Sequence, residues 1–111
     1  MSSWELNGYD TWGGAPVAHE IAKVVPRGRF VVTGEIRTTG TTTVGRSEAF
    51  SCELDDGTGV VTLLFPGRRA VAGLAAGARC TVEATARLQR GRLVAWGPLY
   101  RLEARSCHDG A

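Results

Sequence analysis

The chain has 111 residues, 43% of them hydrophobic and 22% charged, with a formal net charge of +2. That length admits one domain with a modest core and leaves no room for a second. Fifteen glycines beside four prolines read as a globular chain rich in turns, not a disordered or collagen-like one, and a charge this small does not by itself argue for a nucleic-acid partner, although its sign is right.

Residues 1–26 read as an N-terminal arm. Trp4, Tyr9 and Trp12 precede a Gly13-Gly14-Ala15-Pro16 break, and neither a helical nor a strand period runs through them. Indoles on such an arm either dock in a groove of the same molecule or wait for a partner. Val17, Ile21, Val24 and Val25 fall at helical spacing and Pro26 stops them, which predicts one short helical turn leading into the domain.

The domain is expected over residues 27–103. A first strand is predicted over 29–38, with Phe30, Val32, Gly34 and Ile36 on one face and Gly34 at the place where a long strand coils sharply. Thr38 to Gly45 reads as a long, polar, mobile loop able to close over a ligand. Strands over 47–55 and 59–65 follow, joined by Asp55-Asp56-Gly57-Thr58-Gly59, the strongest turn signal in the chain. Ala70 to Leu74 predicts one helical turn plugging a barrel end. A fourth strand over 78–88 and a tight connection at Gln89-Arg90-Gly91 lead to a fifth strand over 91–97, which Leu99, Tyr100 and Leu102 extend beyond Gly97-Pro98. Residues 104–111 read as a polar C-terminal tail. The fold class is therefore all-β: a five-stranded Greek-key barrel with a short helical element between strands three and four, the element order of the OB fold.

Chemistry is sparse along this chain. Asp55 and Asp56 are adjacent carboxylates in a glycine turn, where they serve as turn-formers, and no positioned base or nucleophile accompanies them. His19 and His108 lie in or near the arms, and Gly57-Thr58-Gly59 lacks the third glycine and following helix of a dinucleotide loop. The expectation is a non-enzyme without cofactor. Cys52 and Cys80 sit on the apolar alternation of their strands as small core residues, and Cys107 beside His108 lacks the ligand spacing of a zinc site, so no metal is expected. Three widely spaced cysteines and no apolar N-terminal segment make a reducing cytoplasm the expected location, with no membrane partner. Lys23 is the only lysine among 13 basic side chains. Arginine suits phosphate pairing and base stacking, and a GC-rich genome gives the same bias.

Val32-Thr33-Gly34-Glu35-Ile36, Glu53 to Gly59 with Val61, Leu63 and Phe65, Gly77 to Val82, Gly91-Arg92-Leu93-Val94 and Pro98-Leu99-Tyr100 together resemble the small bacterial nucleic-acid-binding OB-fold group. That group includes the wedge domain of branch-migrating helicases, anticodon-binding domains of some synthetases, and short stand-alone proteins of GC-rich bacteria. Ala84 stands where many members have a glycine. The resemblance implies binding of single-stranded or junction nucleic acid, DNA or RNA, on the face of strands two and three, between the loops joining strands one to two and four to five. Arg37 and Arg46 bracket the first loop and Arg90 and Arg92 the second, placed to track a phosphate backbone. The outward positions Ala49, Ser51, Glu53, Val60, Thr62 and Leu64 carry no aromatic, so Trp96 and Tyr100 are the candidate stacking residues, or else they pack against the arm. The rival reading is a protein-interaction or self-association module, a homodimer or protein complex formed through the face with Val60 and Leu64.

Overall fold

The computed structural model describes residues 11–12 and 15–103. Trp4, Tyr9, Cys107, His108 and the 104–111 tail lie outside them. Six strands form one sheet: β1 (Arg29–Val44), β2 (Ser47–Asp55), β3 (Val60–Pro66), β4 (Arg79–Gln89), β5 (Arg92–Trp96) and β6 (Leu99–Leu102). The first five close into a ring in the order β1-β2-β3-β5-β4, with β4 returning to β1. Only β3 and β5 run parallel. β5 and β6 pair in tandem with two stretches of β4, residues 86–89 and 80–83.

Closure depends on one glycine. β1 pairs with β4 through Arg29–Glu35 and with β2 through Glu35–Val44, so Glu35 opposes both Arg79 and Asp55. The strand must bend where it changes partners, and there the chain runs so close that a Cβ on Gly34 would stand 2.5 Å from the Asp55 carbonyl oxygen. A register shift between Ile36 and Thr38 makes Arg37 the bulged residue just beyond this crossing.

Inside the ring, alternate residues of each strand converge: Phe30, Val32, Ile36, Leu54, Val61, Leu63 and Val82 are almost wholly buried, with Cys52 and Cys80 filling the small gaps between them. Both cysteines are free thiols, and burial pushes Cys52 up to about 12, aided by the neighbouring Cys80.

The turn end of the β2–β3 hairpin is covered by the N-terminal segment. Ile21 opens a single 3-10 turn, Ile21–Lys23, as the helical spacing there predicts, and lies buried against Gly59, where a Cβ would meet it at 2.9 Å. Asp56 secures it: one carboxylate oxygen accepts the N–H groups of Thr58 and Gly59, the other the N–H of Ile21 at 2.8 Å. Before it, Thr11–Trp12 and Ala15–Pro16 form a two-residue antiparallel ribbon.

Two expectations are corrected. Thr38 to Gly45 is not a loop: β1 runs on through Val44, paired with β2 from Thr38↔Glu53 to Val44↔Ser47, and the connection shrinks to Gly45-Arg46. Threonine is a strand former, and a ribbon exposed on both faces shows no apolar alternation to betray it. The helical element between β3 and β4 is also absent. Residues 67–78 form successive turns because Gly67, Gly73 and Gly77 all take positive φ, which no helix accommodates. Val71 and Leu74 still close that end of the ring as buried residues. No helix of the described residues is long and apolar enough to cross a membrane.

Candidate functional site

The outer face of β2, β3 and β5 forms the floor of a groove of about 750 Å³. Alternation along β5 sends Leu93 and Ala95 toward the interior and Arg92, Val94 and Trp96 outward, beside Thr62 and Leu64 of the parallel β3. Leu64 and Val94 are buried, at 7% and 6% exposure, yet stand apart from the interior cluster; they form a separate apolar seam under the groove, with half-buried Trp96 along it. Thr42, Thr43 and Val44 supply one wall from the far end of β1, and Gln89 and Arg90 supply the other from the β4–β5 hairpin. A smaller hollow of about 480 Å³ shares Thr62 and Arg92 with the groove and adds Glu53 and Val60.

The β4–β5 hairpin aims its arginines by its turn. Arg90 and Gly91 both take positive φ, at 53° and 79°, the two-residue geometry whose twist suits a tight antiparallel pair. Cross-strand pairs Gln89↔Arg92 and Arg87↔Val94 then place Arg87, Gln89 and Arg92 on the groove side of the sheet. Among the described residues no carboxylate lies within 4.0 Å of Arg46, Arg87, Arg90 or Arg92, so their charge is available to a ligand.

The structure sorts the six candidate residues. Arg90, Arg92 and Trp96 line the groove. Arg46 sits exposed in the β1–β2 turn, two residues beyond the wall residue Val44. Arg37 is displaced by its bulge into an ion pair with Asp55 and does not line the groove. Tyr100 belongs to the closed end of the ring: its hydroxyl donates to the Ala72 carbonyl at 3.0 Å and its ring packs edge-on against Phe65, centroids 5.9 Å apart. Of the outward positions, Ala49 proves fully buried, and Val60 is the exposed apolar residue of the face, at 45%. Arg87, Gln89 and the threonine wall are not among the sequence candidates: alternation along strand four already turns Arg87 outward, but its place beside Val94, like the position of the threonine wall, follows from cross-strand register.

Among the described residues no cluster of three or more His, Cys, Asp and Glu could hold a metal ion. Asp55 and Asp56 are engaged by their own turn: Asp55 accepts the Gly57 N–H at 2.7 Å, and Asp56 accepts the hydroxyl of Thr58 at 2.6 Å. Compared with known proteins, the chain matches no family model and no curated protein.

Proposed function

We propose that this chain is a non-catalytic OB-type barrel that binds single-stranded nucleic acid in the groove across β2, β3 and β5. The observation that carries the reading is the pairing of Trp96, lying along the Leu64–Val94 seam, with Arg90 and Arg92, which have no carboxylate partner among the described residues, in the same groove. An indole beside an apolar seam offers a stacking face that every base can use, and arginines lining the same groove suit the phosphates between stacked bases. The strand order β1-β2-β3-β5-β4 and the two hairpins that wall the groove support the OB assignment. Hydroxyls of Thr42, Thr43, Ser51 and Thr62 add uncharged donors to a site that tracks the backbone without demanding a base.

Arg87, Arg90 and Arg92, with Arg46 across the groove, can neutralise about three or four phosphates. At about −0.7 per phosphate, log affinity against log salt should fall with a slope of about −2 to −3. Fluorescence anisotropy with a labelled oligonucleotide of about fifteen bases, at low and moderate salt, tests this. Absence of binding at low salt sinks the proposal. Competition by an unlabelled single strand but not by a duplex of the same sequence supports it.

A further inference from the structure

The ring of five strands has no open edge, but its first strand overshoots it. β1 leaves β4 after Glu35 and continues to Val44 with β2 alone on one side. The second side of its first half is met by Ala18, whose N–H donates to the Arg29 carbonyl at 3.0 Å and whose carbonyl accepts the Val31 N–H at 2.9 Å. Thr38–Val44 has no such cover among the described residues. In an antiparallel pair every second residue turns its N–H and C=O away from its neighbour, so this stretch presents a row of unpaired backbone groups.

Natural edges are usually blunted by lysine, proline, an inward charge or shortness. Thr38-Thr39-Gly40-Thr41-Thr42-Thr43-Val44 carries no charge and no proline, and five of its residues are threonine. The outer side of β6, by contrast, is only four residues long and carries Arg101.

We propose that Thr38–Val44 pairs with the same segment of a second copy of this chain, antiparallel about a two-fold axis through Thr41. The sequence is self-complementary about that point: Thr39 stands opposite Thr43, Gly40 opposite Thr42, and Thr38 opposite Val44. No like charges meet, and threonine pairs across a seam are among the favourable cross-strand contacts. Centring on Thr41 uses the whole uncharged stretch and keeps Arg37 and Arg46 outside it. The contact is isologous, so it closes at a dimer and does not propagate. It uses a surface separate from the Val60 side of the groove.

Sedimentation velocity and amide hydrogen exchange on the full chain, from low micromolar to several hundred micromolar, test the pairing. The expected result is a concentration-dependent species of twice the 11.8 kDa chain mass, with exchange slowed at alternate amides of 38–44 as it forms. Thr41→Lys sets two ammonium groups face to face at the axis and weakens the dimer about fivefold or more, whereas Thr41→Val keeps it. Thr41 is exposed, so both variants fold, which near-ultraviolet circular dichroism verifies. Val60→Lys leaves the dimer intact. A monomer over the whole range, a dimer indifferent to Thr41→Lys, a dimer lost with Val60→Lys, or exchange at the outward-turned alternate amides of 38–44 that does not change with concentration overturns the proposal.

Discussion

Asp56 accepts the backbone N–H of Ile21, thirty-five positions earlier in the chain, at 2.8 Å. The contact joins the β2–β3 turn to the segment that covers that end of the barrel, and it has a pH signature. Burial alone would raise the Asp56 carboxyl, but hydrogen bonds from the Thr58 hydroxyl and the N–H groups of Ile21, Thr58 and Gly59 outweigh it and hold the group below the usual carboxylate range. A depressed folded value stabilises above the unfolded value of about 3.9 and loses that stabilisation as pH falls through the folded one. Asp56→Ala should therefore cost about 1–3 kcal/mol at neutral pH. In urea titrations the gap between parent and variant should narrow as pH drops below about 4; a gap constant from pH 7 to pH 2 would show that the charge plays no part.

Ile21 itself tests how much the N-terminal segment contributes. It is 2% exposed and packed on Gly59, so Ile21→Ala should cost about 2–4 kcal/mol by urea denaturation, whereas Val25→Ala, at a position 60% exposed, should stay within about 0.5 kcal/mol. A chain starting at Val17 retains both Val17 and Ile21 and should unfold cooperatively; one starting at Arg27 should lose at least the Ile21 contribution. Equal stability of the two chains would mean that this end of the barrel needs no cover.

Gly34 and Gly40 lie on the same strand and should respond in opposite senses. A Cβ at Gly34 would collide with the Asp55 carbonyl at 2.5 Å, and backbone cannot swing aside as a side chain can, so Gly34→Ala should cost about 3 kcal/mol. Nothing lies within 4 Å of a Cβ at Gly40, and Gly40→Thr in an exposed ribbon should gain up to about 1 kcal/mol of strand propensity. Thermal unfolding of the two variants checks this; a tolerated Gly34→Ala would mean that β1 changes partners elsewhere.

The parts of this fold that are legible in the sequence are those with one wet face. The β2–β3 hairpin shows itself because Phe50, Cys52 and Leu54 alternate with polar neighbours and an Asp-Asp-Gly turn follows. Thr38–Val44 hides because both of its faces are exposed, leaving no alternation, so threonine and glycine read as loop. The 67–78 segment misleads in the opposite sense: Val71 and Leu74 sit one helical turn apart and both are buried, yet the glycines around them hold the chain in turns. In the groove, Arg92 and Trp96 are legible from alternation along a single strand. The place of Arg87 beside Val94 and the burial of Leu64 are not, because each depends on which strand lies alongside, a long-range pairing that no local pattern encodes. Arg37 is misread for a similar reason: a bulge of one residue redirects it to Asp55.

The groove should divide its energetics between stacking and charge, and the two can be measured apart. Trp96→Ala removes the stacking face and should cost about 1–3 kcal/mol of oligonucleotide affinity, with the salt slope unchanged. Arg90→Ala combined with Arg92→Ala removes two phosphate contacts and should flatten the slope by about 1.4. The arginine pair does not touch the interior, since Arg90 and Arg92 are exposed and unpaired among the described residues, so its loss should hardly move thermal unfolding, whereas Trp96→Ala uncovers part of the Leu64–Val94 seam and should lower the unfolding temperature. Arg37→Ala is the internal control: its guanidinium is engaged by Asp55 outside the groove, and its loss should leave both affinity and slope where they were. Tyr100→Phe removes the hydroxyl bond to Ala72 and should lower stability by about 1 kcal/mol without altering binding. A slope that flattens equally for Arg37→Ala and for the Arg90, Arg92 pair would mean that the strand is held by diffuse charge and that the groove is not its site.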